Sequence, residues 1–194
     1  MLPEVLPSLK LMDCGSIRSG QSFRKAPIED SQSRCFSIQT KDLLPIGCIS
    51  QELTPISTIN EKPKPNVEAG DILILSRGVR FNAGLVRQLP GQSVALNMFY
   101  IFKPKPSELM PEFIVAYLNN PIIQERLKSF ATGITIPHLK ANDLGNVRIP
   151  VPSLQQQKAY VALTDAVIEE HVIFEKLFHL RRQQLRAAAG FSTL

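Results

Sequence analysis

The sequence predicts an α+β protein: a mixed α/β domain with a twisted, mostly antiparallel sheet and short helices, followed by one long C-terminal helix. Three observations carry that expectation. Short apolar runs bounded by Gly, Pro and polar clusters read as strands in the first half, the clearest being Asp71–Ser76, DILILS. The period then changes to a helical one in two short segments, each opened by a proline. Beyond Ser153 a helical pattern runs almost to the end of the chain. The stretch from Thr132 to Gln157, TGITIPHLKANDLGNVRIPVPSLQQQ, joins the two architectures and sets expected domain limits at 1–152 and 153–194.

At 194 residues the chain fits one domain with an appendage, or two small domains. Hydrophobic residues make up 44%, enough for a core, so global disorder is excluded. No run reaches the ~18 apolar residues of a membrane span. The start, MLPEVLPSLK, puts no basic region ahead of an apolar stretch, so no signal peptide is expected and a cytoplasmic location is. The three cysteines, Cys14, Cys35 and Cys48, form no CxxC pair and lie far in sequence from the three histidines. Reduced, partly buried thiols are therefore expected rather than a zinc site or a disulfide framework. The net charge of +5 permits a nucleic-acid partner without requiring one. Four of the five excess positive charges fall before residue 153, which suits a domain facing an anion and a helix facing protein.

In order, Leu9–Asp13 reads as a first strand and GSIRSGQSFRKA after it as a polar loop. That loop offers Arg18, Ser19, Gln21, Ser22, Arg24 and Lys25 as donors, or is simply solvated. Arg34–Gln39 and Ile46–Ser50 have strand character, and the Pro-rich region Gln51–Val67 reads as extended loop. The near-continuous apolar run of DILILS suggests burial on both faces. At its end Arg77 and Arg80 flank Gly78, with Asn82 following, a pattern suited to phosphates, a guanine edge or a solvated turn. Gly84–Leu89 and Ser93–Phe102 read as two further strands, with Asn97 hinting at a buried amide in the second.

Pro111–Asn119 and Pro121–Phe130 read as two short helices, with Asn120 as the cap of the second. Ser153 followed by Gln156 is close to a capping box. The helix it opens would run to Ala189, roughly 55 Å at ~1.5 Å per residue. Leu163, Val167, Phe174, Leu177, Leu185 and Ala188 form an apolar stripe along it. A face that long needs a covering partner, or must fold back on its own domain. No nucleophile, phosphate-loop, zinc-protease or cofactor motif is present, and the carboxylates are scattered, so catalysis is not expected.

Several segments together resemble the specificity subunit of type I restriction–modification systems. They are the early GQSF after a short strand, EAGDILILSRG from Glu68 to Gly78, and the strand LNMFYIFKP. PEFIVAYLN with its second helix, ATGITIPHL, and NVRIPVPSLQQQ before the long helix complete the set. The pieces span almost the whole chain in register; Gln155-Gln156-Gln157 departs from the acidic residue the family usually carries near that point.

The resemblance implies a non-catalytic subunit in a half-length form, with one target-recognition domain and one conserved helix. Its expected partners are double-stranded DNA, adenine methyltransferase subunits and a motor nuclease subunit. The expected cofactor, S-adenosylmethionine, belongs to the methyltransferase and not to this chain. A homodimer through the C-terminal helix would read a palindromic bipartite target. The expected DNA contacts are Arg18, Ser19, Gln21, Ser22, Arg24, Lys25, Arg77, Arg80, Asn82, Thr132, Thr135, His138 and Lys140, with His138 alternatively a buttress of the Thr132–Ile136 turn. Two other readings remain: the recognition part of a fused adenine methyltransferase, and an assembly or regulatory protein that does not bind DNA.

Overall fold

A computed structural model describes residues 6–45, 47–57, 63–64 and 66–188. Its strands are β1 (Ser8–Lys10), β2 (Gly15–Ser19), β3 (Ile28–Glu29), β4 (Cys35–Ile38), β5 (Thr54–Ser57), β6 (Ile72–Leu75), β7 (Ala83–Leu85), β8 (Gln92–Ala95), β9 (Phe99–Pro104) and β10 (Arg148–Pro150). Its helices are α1 (Pro111–Leu118), α2 (Pro121–Phe130), α3 (Ala141–Gly145) and α4 (Leu154–Ala188). The α+β expectation holds, and all strand pairs are antiparallel except β4 with β8. The strands are divided between a four-stranded sheet ordered β2-β9-β6-β7, another ordered β3-β5-β4-β8, and the pair β1-β10.

The strand β6 reads ILIL because both of its faces are covered. Ile72 and Ile74 point into a core shared with Phe113, Ile114 and Leu118 of α1 and Ile123 and Leu127 of α2. Leu73 and Leu75 point the other way, into a core with Ile38, Val86 and Ala95. On β9, Tyr100 and Phe102 join the first core, and Phe99 and Ile101 join the second. Helices, first sheet and second sheet are thus three layers, with a hydrophobic core on each side of the central one. Each fully buried Ile or Leu contributes about 1.5–3 kcal/mol to that arrangement.

Several local expectations change. The first strand is only Ser8–Lys10, and Leu11–Asp13 forms a 3-10 turn. The first five residues of the expected polar loop are β2, paired with β9 over Gly15–Ser19. Ser93–Phe102 is not one strand but two, in different sheets, joined by a turn at Asn97 and Met98. Asn97 is accordingly exposed rather than buried, donating from Nδ2 to Ser22 Oγ at 2.8 Å. Two short strands, β3 and β5, and the helix α3 arise where none was expected. Of the expected strand 46–50, Ile46 lies outside the described residues, and Cys48 and Ile49 form only isolated bridges.

The start of α4 is held by side chains. Ser153 N–H donates to Gln156 Oε1 at 2.9 Å and Gln156 N–H donates to Ser153 Oγ at 3.3 Å, so a glutamine completes the capping box. Asn120 caps α2 by accepting from Ile122 N–H, and donates from Nδ2 to Tyr160 Oη at 3.0 Å. Gln157 is fully buried: its Oε1 accepts from Met110 N–H at 2.8 Å, and its Nε2 donates to the carbonyls of Glu108 at 2.7 Å and Pro152 at 3.0 Å. Three backbone groups of the domain are thereby satisfied by one residue of the helix.

Gln157→Ala strands the Met110 N–H and the Glu108 carbonyl, at an expected cost of about 2–4 kcal/mol. Urea unfolding of the full chain measures it; an unchanged midpoint would show that the amide does not anchor the helix.

Candidate nucleic-acid interface

Strand direction gathers the candidate residues. Both β2 and β6 pair antiparallel with β9, so they run parallel to one another and their C-terminal ends emerge at the same end of the sheet. Ser19 and Ile74 both stand opposite Tyr100. With one strand between them, the two exits lie roughly 10 Å apart. The residues after β2 (Gln21, Ser22, Arg24, Lys25), the β8–β9 turn, and the loop after β6 (Arg77, Arg80, Asn82) therefore share one rim.

A third loop is tied to that rim by backbone bonds. Thr132 and His138 exchange bonds of 3.0 and 2.8 Å, closing the loop between them. Gly78 N–H donates to Pro137 O at 3.0 Å and Leu139 N–H donates to Ser76 O at 3.0 Å, joining that loop to the end of β6. Two glycines permit the geometry, with φ of +114° at Gly78 and +108° at Gly133. Arg77, Arg80, Thr132, Thr135 and Lys140 are exposed here, whereas Asn82 and His138 are half-buried. His138 Nδ1 lies 2.8 Å from Leu139 O, the carbonyl that also accepts from Tyr100 Oη at 2.8 Å. The imidazole thus buttresses the loop through one nitrogen.

Two amides that sequence reasoning assigned no role at the site hold the loop after β6 from beneath. Asn119 accepts from Ala83 N–H at 2.7 Å and donates to Ala83 O at 2.8 Å, as a neighbouring strand would. Gln124, buried, accepts from Phe81 N–H at 2.9 Å and donates to the carbonyls of Phe81 at 3.2 Å and Leu118 at 2.8 Å. Their only sequence signal was polarity on otherwise apolar helix faces.

At the first loop the expectations divide. Ser19, Ser22, Arg24 and Lys25 are exposed. Gln21 is half-buried and accepts from Lys64 N–H at 3.0 Å. Arg18 is turned toward the other end of the sheet, donating to Asn66 O and lying 3.6 Å from the buried Asp71 carboxylate. That engagement gives Arg18 a structural duty. Asp71 also accepts from Glu68 N–H at 3.0 Å, and Lys103 lies 2.6 Å from Glu68. Glu68 and Asp71 thus sit beside the N-terminal end of β6, away from the rim.

Burial pushes the Asp71 carboxyl above its ordinary value, against the opposing pull of the Glu68 N–H and Arg18. The Lys103 ammonium holds exposed Glu68 below its usual range. Burial likewise raises all three thiols, of which Cys14 and Cys48 are buried and Cys35 half-buried, which disfavours nucleophilic thiolate. Among the described residues no group of three or more His, Cys, Asp or Glu side chains could hold a metal ion, and no helix is long and apolar enough to cross a membrane.

Residues 9–177 match the family profile of the type I restriction modification DNA specificity domain. The chain belongs to that family. The specificity domain is 23% identical over 162 residues to the type I restriction enzyme MjaVIII specificity subunit of Methanocaldococcus jannaschii, covering 81% of this chain and 38% of that one. It superposes with a TM-score of 0.69 and 18% identity on a chain from a solved structure concerning complex assembly and conformational transition of the type I R-M system, covering 97% of this chain and 44% of that chain. The HsdS subunit from Thermoanaerobacter tengcongensis gives 0.57 and 20%, over 89% and 39% of the two chains. The specificity domain thus spans less than half the length of these relatives. Its family is that of the DNA specificity domains of type I restriction–modification systems.

The raised Asp71 sets a pH test. The folded state holds that proton more tightly than the unfolded chain, so this residue's contribution to stability falls as pH rises from the ordinary Asp range through the raised one. In urea titrations between about pH 3 and 7, Asp71→Asn should gain on the parent as pH rises; parallel stability curves would exclude the effect.

Proposed function

We propose that this chain reads one half of a bipartite site in double-stranded DNA and directs adenine methyltransferase subunits to it through α4. The observation that carries the reading is the single rim where the loops after β2 and β6 and the loop 132–138 converge, with Arg77, Arg80 and Lys140 exposed and the carboxylates Glu68 and Asp71 set at the far end of the sheet. Arginines at a strand end suit phosphate oxygens or guanine O6 and N7, whereas Lys140 suits phosphate. Arg24, Lys25, Ser19 and Ser22 extend the same rim, and Gln21, Asn82, Thr132, Thr135 and His138 complete the proposed contact set. Arg18 is left outside it.

Domain limits of 1–152 and 153–194 follow from the same division of labour. The start of α4 packs on α1 through Gln157, Tyr160 and Val161. Further along, Leu163, Val167, Phe174, Leu177 and Leu185 are each at least half exposed, and Ala188 is exposed as well. A second copy of the chain, packed helix to helix, would cover this stripe and pair two reading rims about a twofold axis, giving a palindromic bipartite target. S-adenosylmethionine would then be bound by the methyltransferase, a motor nuclease could join the same assembly, and the setting would be the cytoplasm.

Arg77→Ala with Arg80→Ala should weaken binding to duplex DNA and lower the slope of log K against log salt by about 2 if both contact phosphate, or relax sequence preference if they read guanine. Unchanged affinity and preference would sink their assignment. Leu163→Glu with Phe174→Glu should shift the chain from dimer to monomer in sedimentation and reduce co-purification with a methyltransferase subunit. A monomeric parent would remove the homodimer, and undiminished co-purification would move methyltransferase docking off the helix.

A further inference from the structure

The rim carries apolar side chains that the fold does not use. Outside α4, four large hydrophobic side chains among the described residues exceed 60% exposure, and three of them stand on the two cross-linked loops: Val79 at 74%, Ile136 at 62% and the fully exposed Ile134. Exposed β-branched residues clustered on two tied loops call for a function, since elsewhere on the sheets such residues are mostly buried.

These loops are preorganised. Four backbone bonds of 2.8–3.0 Å hold Thr132–Leu139 to itself and to the end of β6. Pro137 fixes its own φ. A Cβ at Gly133 would come 2.9 Å from Ile136 O, so the chain folds tightly over that glycine. Val and Ile are stiff about χ1, so presenting their methyl groups costs little rotamer entropy. Around them are Arg77, Arg80, Thr132, Thr135 and Lys140, all exposed. A rigid apolar knob ringed by cations and hydroxyls matches a surface that is itself apolar at one point and anionic or hydrogen-bonding around it. In a DNA major groove the apolar point is the C5-methyl of thymine.

We propose that Ile134, with Ile136 and Val79 beside it, packs against thymine C5-methyl groups in the major groove and so selects T at the contacted positions. The inference rests on the DNA-reading function above and adds which bases this loop pair reads and by what chemistry. Arg77 and Arg80 anchor the loop, and the isoleucines discriminate. Cytosine at the same position would present no methyl to fill the contact.

Preferred duplexes selected from a random pool by the full chain supply the probe. Each thymine is then replaced singly by deoxyuridine, which removes only the methyl. One or two of these replacements should weaken binding by about four-fold per methyl lost from the contact. Ile134→Ala with Ile136→Ala should bind the thymine and deoxyuridine duplexes equally, while Ile134→Thr, which keeps the branched Cβ, checks that backbone order is retained. Deoxyuridine replacements without effect, a selected site lacking thymine, or an undiminished methyl effect in the double variant would each overturn the inference and leave DNA reading intact. Increased fluorescence of 2-aminopurine beside the contacted step, without methyl dependence, would overturn it in favour of an apolar wedge. Failure to bind any duplex at low salt would overturn the DNA-reading function itself.

Discussion

The structure depends on one strand that has no solvent face. Because Ile72, Leu73, Ile74 and Leu75 are all buried, β6 must have a core on either side, and the helices and the second sheet are the layers that supply them. The strand is also paired along both edges, with β9 and β7. An element fixed from four directions has no freedom in register, because a one-residue slip would exchange its two faces. Whatever leaves its end is therefore accurately placed. Arg77 is the first exposed residue after the run, and the bridge from Arg77 to His138 brings in the loop 132–138.

Buried amides extend that order to parts the hydrophobic layers do not reach. Asn119 takes the place of a strand partner for Ala83, Gln124 holds Phe81, and Gln157 joins α4 to the chain before α1. An amide buried with its donors and acceptors matched is specific in direction, which apolar contact is not, and costly to misplace. Two of these residues set the loop that carries the arginines, and the third sets the helix that carries the exposed stripe. The loop after β6 and the start of α4 are thus both tied by amides to the chain around α1 and α2.

Much of the fold could be read from local pattern. The two proline-opened helices, the Asn120 cap, the capping box at Ser153 and Gln156, and the double burial of DILILS are all as the residues imply. The failures share a cause. β2 is a polar edge strand, paired only with β9, so its residues alternate weakly and look like loop. Ser93–Phe102 reads as one strand because both halves are buried, and nothing apolar distinguishes the core that takes Ala95 from the one that takes Phe102. Its turn lacks both Gly and Pro. Asn97, read as a buried amide, is the residue that marks the break.

The candidate site divides in the same way. Residue type and neighbouring glycine were enough to expect Arg77 and Arg80 exposed at a strand end and a tight Gly turn in the TGITIPH segment, since both follow from local chemistry. By itself the sequence determined the doubly buried strand, the proline-opened helices, the caps at Asn120 and Ser153 and the stripe on the long helix, because those depend on residues a few positions apart. Only the tertiary structure decided that the ends of β2 and β6 meet on one rim, that Arg18 turns away to Asp71, and that Ile134 and Ile136 stand exposed beside the arginines. These outcomes follow from pairing between strands far apart in the chain, where a strand's direction and neighbours are set by long-range burial and not by its own sequence.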